Sequence, residues 1–148
     1  MEKLEKKMKS VMSRAALAGL LLGASMLASA ATPAPKGAEV FIVSPEDGAT
    51  VAQEFTVKFG VKDIALAPAG DVTKNTGHHH LLIDVDKLPA AGAPIPTDAN
   101  HMHFGKAQTQ ATIKLAPGKH TLQLILGDSG HMPFKPSIVS KKITVNVK

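Results

Sequence analysis

The chain has 148 residues, with 17 Lys+Arg against 12 Asp+Glu, for a formal net charge of +5. It contains no Cys, Trp or Tyr. That excludes a disulfide scaffold, a Cys-based zinc finger, an iron–sulfur site, a blue-copper Cys site and thiol catalysis. Seven His and ten Pro are the unusual part of the composition.

Residues 1–30 read as a secretory signal peptide. Lys3, Lys6, Lys7, Lys9 and Arg14 precede an apolar run from Ala15 to Ala28, and Ala28-Ser29-Ala30 forms an A-x-A cleavage site. The run is about 14 residues, short of the ~20 a spanning helix needs. The expected product is therefore an exported, periplasmic chain beginning at Ala31, with no transmembrane segment after cleavage. Beyond Ala30 the chain carries 12 Lys, no Arg and 10 acidic residues, a net charge of +2. Without Arg to read phosphates or Trp and Tyr to stack bases, nucleic acid is not an expected partner.

Residues 31–37, Ala-Thr-Pro-Ala-Pro-Lys-Gly, read as a flexible lead-in. Strand signals follow over 38–148, with no helical period of useful length. Glu39–Val43 is the first strand, and Ser44-Pro-Glu-Asp-Gly48 turns the chain. Phe55, Val57, Phe59 and Val61 alternate along the second. His79, Leu81, Ile83 and Val85 alternate along the third. A Pro-rich loop occupies 87–100. Ala111, Ile113 and Leu115 mark the next strand, Pro117-Gly118 turns it, and His120, Leu122, Leu124 and Leu126 share one face of the return strand. Ile143, Val145 and Val147 point inward from the last. The expected class is all-β, an immunoglobulin-like antiparallel sandwich of about seven strands.

The histidines stand at 78, 79, 80, 101, 103, 120 and 131. In such a sandwich the third strand pairs antiparallel with the sixth, which brings His78–His80, His101, His103 and His131 to one pole. Alternation lets His78 act with His80, and His101 with His103. Met102 and Met132 each adjoin a His. Imidazole suits copper and zinc, whereas thioether selects Cu(I). The candidate ligands are His78, His80, His101, His103, His131, Met102 and Met132. Asp84, Asp98 and Asp128 are candidates for orienting a ring, and His79 is expected to pack with the apolar residues of its strand. His120, at the other pole, is expected to be a structural hydrogen-bonding residue where related sandwiches place a corner Tyr.

Three segments carry a resemblance. Gly77-His-His-His-Leu-Leu-Ile-Asp84, Asn100-His-Met-His-Phe-Gly-Lys106 and Pro117-Gly-Lys-His-Thr-Leu-Gln-Leu124 resemble an uncharacterised exported bacterial family, a domain of unknown function sometimes labelled rod shape-determining protein. The resemblance spans about residues 38–148 and implies a periplasmic domain without an established activity. In that family a His follows the Pro of the 131–136 loop, where Phe134 stands here, and an acidic residue stands at Lys135. Ser44-Pro-Glu-Asp-Gly-Ala-Thr-Val51 also resembles the opening of small periplasmic copper-resistance sandwiches, whose N-terminal His ligand is replaced here by Ala31.

The favoured reading is copper binding or trafficking, with the metal ion and a periplasmic donor or acceptor protein as partners. Zinc binding or buffering through imidazoles alone is the alternative. A metal-free envelope interaction module, charged below about pH 6, is the third. The chain has no H-E-x-x-H, G-x-S-x-G or P-loop motif, so catalysis is less favoured.

Overall fold

A computed structural model describes residues 30–148. The expected signal peptide, apart from Ala30, lies outside the described residues. The strands are β1 (Glu39–Ser44), β2 (Thr50–Val51), β3 (Glu54–Lys62), β4 (Ala65–Leu66), β5 (Thr76–Ile83), β6 (His101–Phe104), β7 (Gln110–Lys114), β8 (Gly118–Gly127) and β9 (Ile143–Val147). No helix long and apolar enough to cross a membrane occurs among the described residues.

Alternating apolar residues sort these strands into two sheets. One has the order β1-β3-β7; the other runs β2-β9-β8-β5-β4, with β6 also paired to β5. The long strands pair antiparallel, and the third sequence-predicted strand pairs with the return strand after Pro117-Gly118, as β5 with β8. This is an immunoglobulin-like sandwich. Val57 and Phe59 of β3, Ile113 of β7, Leu81 and Ile83 of β5, and Leu122, Leu124 and Leu126 of β8 meet in one core. These are the residues whose period of two the sequence displays.

Two features depart from the sequence reading. Residues 101–104 form a short strand of their own on the edge of β5, in addition to the strands expected from the sequence. And β5 is buried on both faces from Gly77 to Ile83. Its inner face meets the other sheet. Its outer face is covered by the segments after β5 and β8, where Leu82, Ile125 and Ile95 form a second small cluster packed by Val85 and Val139. Asp84 adopts φ 55°, which breaks the alternation, so Val85 joins the outer cluster rather than the inner core.

The lead-in is tied down. Lys135 N donates to Thr32 O at 2.9 Å and Ala34 N to Lys135 O at 3.0 Å, a short parallel bridge. Proline-rich composition signals a missing donor and a stiff chain, not the absence of a docking partner.

His120 is the corner residue expected of it. Its Nδ1 bonds Asp84 Oδ2 at 2.7 Å and its Nε2 bonds Ala116 O at 2.8 Å. Both partners are acceptors, so the ring must donate from both nitrogens and is held as imidazolium. The carboxylate of Asp84 raises its pKa above the ordinary value. Asp84 Oδ1 also accepts from Thr121 N at 2.8 Å, closing the corner between β5 and β8. A raised pKa contributes stability that is complete below pH ~6.5 and is lost as pH rises through the folded-state value. His120→Ala is therefore expected to cost about 2 kcal/mol in urea unfolding at pH 6. At pH 9 the cost should be smaller, because the ring has lost its second proton and the bond to Asp84 its charge. Partial solvent screening of this corner keeps the figure modest.

Candidate metal centre

Strand alternation decides which histidines can meet. His79 points inward and packs its ring against Phe59 of the opposite sheet, with centroids 4.9 Å apart. His78 and His80 therefore point outward, from a sheet face that loops cover. In the β5–β6 ladder His80 lies opposite His103. In the β5–β8 ladder His78 lies opposite Gly127. Three imidazoles thus rise from adjacent points on two paired strands. The chain then leaves β8 and turns back through Asp128, and His131 closes over them.

His78, His80, His103 and His131 each offer a ring nitrogen, and these four nitrogens lie within 4.8 Å of one another. His80 Nε2 is 3.0 Å from His78 Nε2, which is 3.1 Å from His131 Nδ1. Nitrogens about 2.05 Å from a tetrahedral ion stand about 3.3 Å apart, and these two separations are close to that value. Hydrogen bonding alone cannot satisfy both contacts. An imidazole nitrogen carries one proton or one lone pair, so His78 Nε2 can serve only one of its two neighbours well. A cation at the shared centre accepts all the lone pairs at once.

Burial reinforces this. His78 and His80 are 1% and 0% exposed, and burial is the largest cause holding their pKa values down, to about 4 and about 3. The neighbouring rings push in the same direction. His103 is lowered as well, first by burial and then by His131. His78 and His80 are thus neutral at pH 7, which is the form that coordinates metal. His78 Nδ1, His80 Nδ1 and His103 Nε2 are buried without a hydrogen-bond partner among the described residues. Such unpartnered atoms cost stability; the Nδ1 atoms of His78 and His80 are the ring nitrogens opposite those that converge, and His79 in the core has two more.

Two glycines make the room. A Cβ on Gly127 would stand 2.9 Å from His80 Nε2 and 3.4 Å from the His131 Cα. One on Gly105 would stand 2.4 Å from the His103 ring. Neither was singled out by sequence reasoning, because an isolated glycine in a strand or turn carries no sign of what approaches it. Gly127 lies in β8 with an ordinary strand backbone, so alanine is conformationally allowed there. Gly127→Ala is expected to weaken metal binding about 10- to 100-fold by crowding His80, with little change in the urea midpoint. Equal metal affinity in the two proteins would place the ion elsewhere.

His131 itself sits in the left-handed region at φ 64°, uncommon for a residue other than glycine. Its N–H donates to Asp128 O at 2.9 Å, and its carbonyl accepts from Ile95 N at 2.8 Å. Strain of this sort persists where surrounding bonds over-determine the conformation.

His101 and Met102, also expected ligands, stand apart. His101 is one alternation further along β6, opposite Leu82, and its Nδ1 bonds Asp98 Oδ1 at 2.8 Å. Asp98 thus orients His101, and that bond is the main cause of its lowered pKa. Asp84 serves His120 at the far corner rather than the cluster. Met102, opposite Leu81, is turned to the inner face and packs against the main core, away from His103. Met132 lies beside His131, with its N–H donating to Asp128 Oδ1 at 2.9 Å. Asp128 is near enough to His78 that its charge opposes the fall in that ring's pKa.

The model of a domain of unknown function, DUF4399, matches residues 57–148, the span that holds all seven histidines. The chain belongs to this family. Phe134, where the resemblance expects a further His, is 2% exposed in the main core and would touch a Cβ on Gly77, so the four-His cluster of this DUF4399 member forms without it. Among solved structures, the chain is similar to the fibronectin(III)-like modules of Clostridium thermocellum CbhA. That match has 13% identity and a TM-score of 0.34, covering 73% of this chain and 92% of that one. No curated protein sequence matches.

Proposed function

We propose that this DUF4399 protein is an exported metal-binding protein of the periplasm, whose His78, His80, His103 and His131 hold one late transition-metal ion. The observation that carries the reading is the convergence of four ring nitrogens around one centre, where hydrogen bonding alone leaves His78 Nε2 serving only one of its two neighbours well. Copper is the favoured ion. Among divalent first-row ions an imidazole set binds Cu²⁺ most tightly. Two ligands are fully buried while His103 and His131 are partly exposed, so the ion has one accessible side for exchange with a donor or acceptor protein. The position of Met102 in the core removes one thioether argument for Cu(I). Zinc buffering is the second reading, favoured by a set of four imidazoles, since zinc takes four nitrogen ligands.

The test uses untagged protein titrated with Cu(I), Cu²⁺ and Zn²⁺ against competing chelators. One-to-one binding much tighter than that of a flexible His-rich peptide supports the reading, and the preferred ion decides copper against zinc. Binding no tighter than the peptide leaves a metal-free envelope interaction module.

A further inference from the structure

Three of the four imidazoles are set by the sheet, but the fourth is not. His78 and His80 on β5 and His103 on β6 are fixed by ladder hydrogen bonds. His131 lies on the segment between β8 and the bridge at Lys135, in a left-handed conformation that few residues other than glycine adopt. Something must hold it there.

Asp128 supplies the inner part of the support. Its Oδ1 accepts from Gly130 N and Met132 N, both at 2.9 Å, on either side of His131. Its backbone brackets the same turn, with Asp128 O accepting from His131 N and Asp128 N donating to Met132 O. The outer part comes from the other end of the chain. Thr32 Oγ1 donates to the second carboxylate oxygen, Asp128 Oδ2, at 2.5 Å. The Thr32–Ala34 backbone bonds Lys135 at the far end of the segment. The N-terminal segment therefore pins the His131 turn at both ends, 96 residues away in sequence from Asp128.

We infer that Thr32 and Asp128 are positioning residues that clasp His131 onto the three-imidazole platform, so that the N-terminal segment sets how fast the bound ion leaves. This rests on the metal-binding reading for its consequence but not for its geometry. Ordinary ligand loss from a four-imidazole site begins with the ligand whose backbone moves most readily. His131 is that ligand, and it lines the partly exposed side. Releasing Thr32 frees one carboxylate oxygen and loosens the turn without touching any ligand.

The discriminating substitution is Thr32→Val, which keeps the shape and removes the hydroxyl, with Thr32→Ser as the rescue. Zn²⁺-loaded protein is mixed with excess chelator and ion release is timed. Thr32→Val is expected to release Zn²⁺ about 10-fold faster than the parent, and Thr32→Ser at close to the parental rate. The urea midpoint of the metal-free protein should stay nearly constant across all three, which a merely structural role would not predict. Equal release rates for valine and parent overturn the clasp. Amide hydrogen exchange of the metal-free protein gives an arm independent of metal. The Gly130 and Met132 amides should exchange faster in Thr32→Val, and unchanged exchange there overturns the clasp. A parent that binds no Zn²⁺ or Cu²⁺ defeats the metal reading, while the exchange arm still decides the clasp.

Discussion

The protein carrying both His80→Leu and His103→Ala is expected to bind Zn²⁺ and Cu²⁺ about 10⁴-fold more weakly than the parent. Apparent binding energies for four-ligand structural zinc sites run at about 10–16 kcal/mol, or roughly 3 kcal/mol per ligand. Two lost imidazoles thus remove about 6 kcal/mol, leaving His78 and His131 as a two-point site no better than a short peptide. The fold should survive. Leucine is close in volume to histidine, and the change removes the unpaired His80 Nδ1 from a fully buried position. Removing a polar group that has no partner is neutral or stabilising. The metal-free variant should therefore unfold in urea at the parental midpoint or above it, and chelator competition should show the affinity gone. His101→Ala is the companion measurement. That ring is bonded to Asp98 and faces Leu82 rather than the cluster, so affinity should stay within about threefold. If His101→Ala loses the ion and the double variant keeps it, the cluster is not the site.

Acid is the second large effect. Three adjacent histidines on β5 are buried as neutral rings, with pKa values pushed down to about 4 at His78 and His79 and about 3 at His80. In the unfolded chain each binds its proton near pH 6.5. The unfolded state therefore binds more protons throughout the interval below 6.5, and stability falls as pH falls. The contribution is complete above pH ~6.5 and is lost as pH drops through the folded-state values. For His79 alone, whose shift comes mainly from burial, this is about 3 kcal/mol. The metal-free protein is expected to lose several kcal/mol between pH 6.5 and 4, read from urea midpoints across that range. Bound metal should oppose this at first, adding about 4 kcal/mol at a free concentration 1,000 times Kd, then fail as protons displace it. His120 titrates with the opposite sign at the far corner. Stability of the metal-free protein should therefore peak near neutrality, with a steep acid limb and a shallow alkaline one. A flat profile from pH 7 to 4 would show that the β5 histidines are hydrated.

The histidines show best what a linear reading can reach. Their separation in parity was legible. His79 shares its side with Leu81 and Ile83, so a period of two turns it inward and frees His78 and His80 to act together. The pairing of β5 with β8 was also legible, because it follows from strand order in a sandwich with these turns. His120 as a hydrogen-bonded corner followed from its place after Pro117-Gly118. The same parity put Met102 opposite to His103 in facing, and the structure resolves that difference by sending the thioether into the core.

Parity could not choose between His101 and His103, which share a face. The choice depends on register, and register is set by cross-strand pairing. Placing His103 against His80 leaves His101 against Leu82, one step too far. Parity also could not say that the outer face of β5 is covered. Its apolar content, Leu82 beside two histidines, looks like a solvated face until Ile95, Val139 and the His131 turn pack over it. A pole was expected, and a roofed patch on the sheet's outer face near that pole is what forms. Phe134 and Val85 depart for related reasons, one drawn into the core and the other displaced by the positive φ of Asp84.

The amino-acid sequence by itself thus determined the all-β sandwich class and the set of imidazoles available, because these depend on local period, turn chemistry and composition. Only the tertiary structure decided which four imidazoles converge, that glycines at 105 and 127 leave them room, and that Thr32 reaches Asp128. Those facts depend on register and on contacts between segments far apart in the chain. A sequence states neither until the hydrophobic core has locked the strands into one alignment.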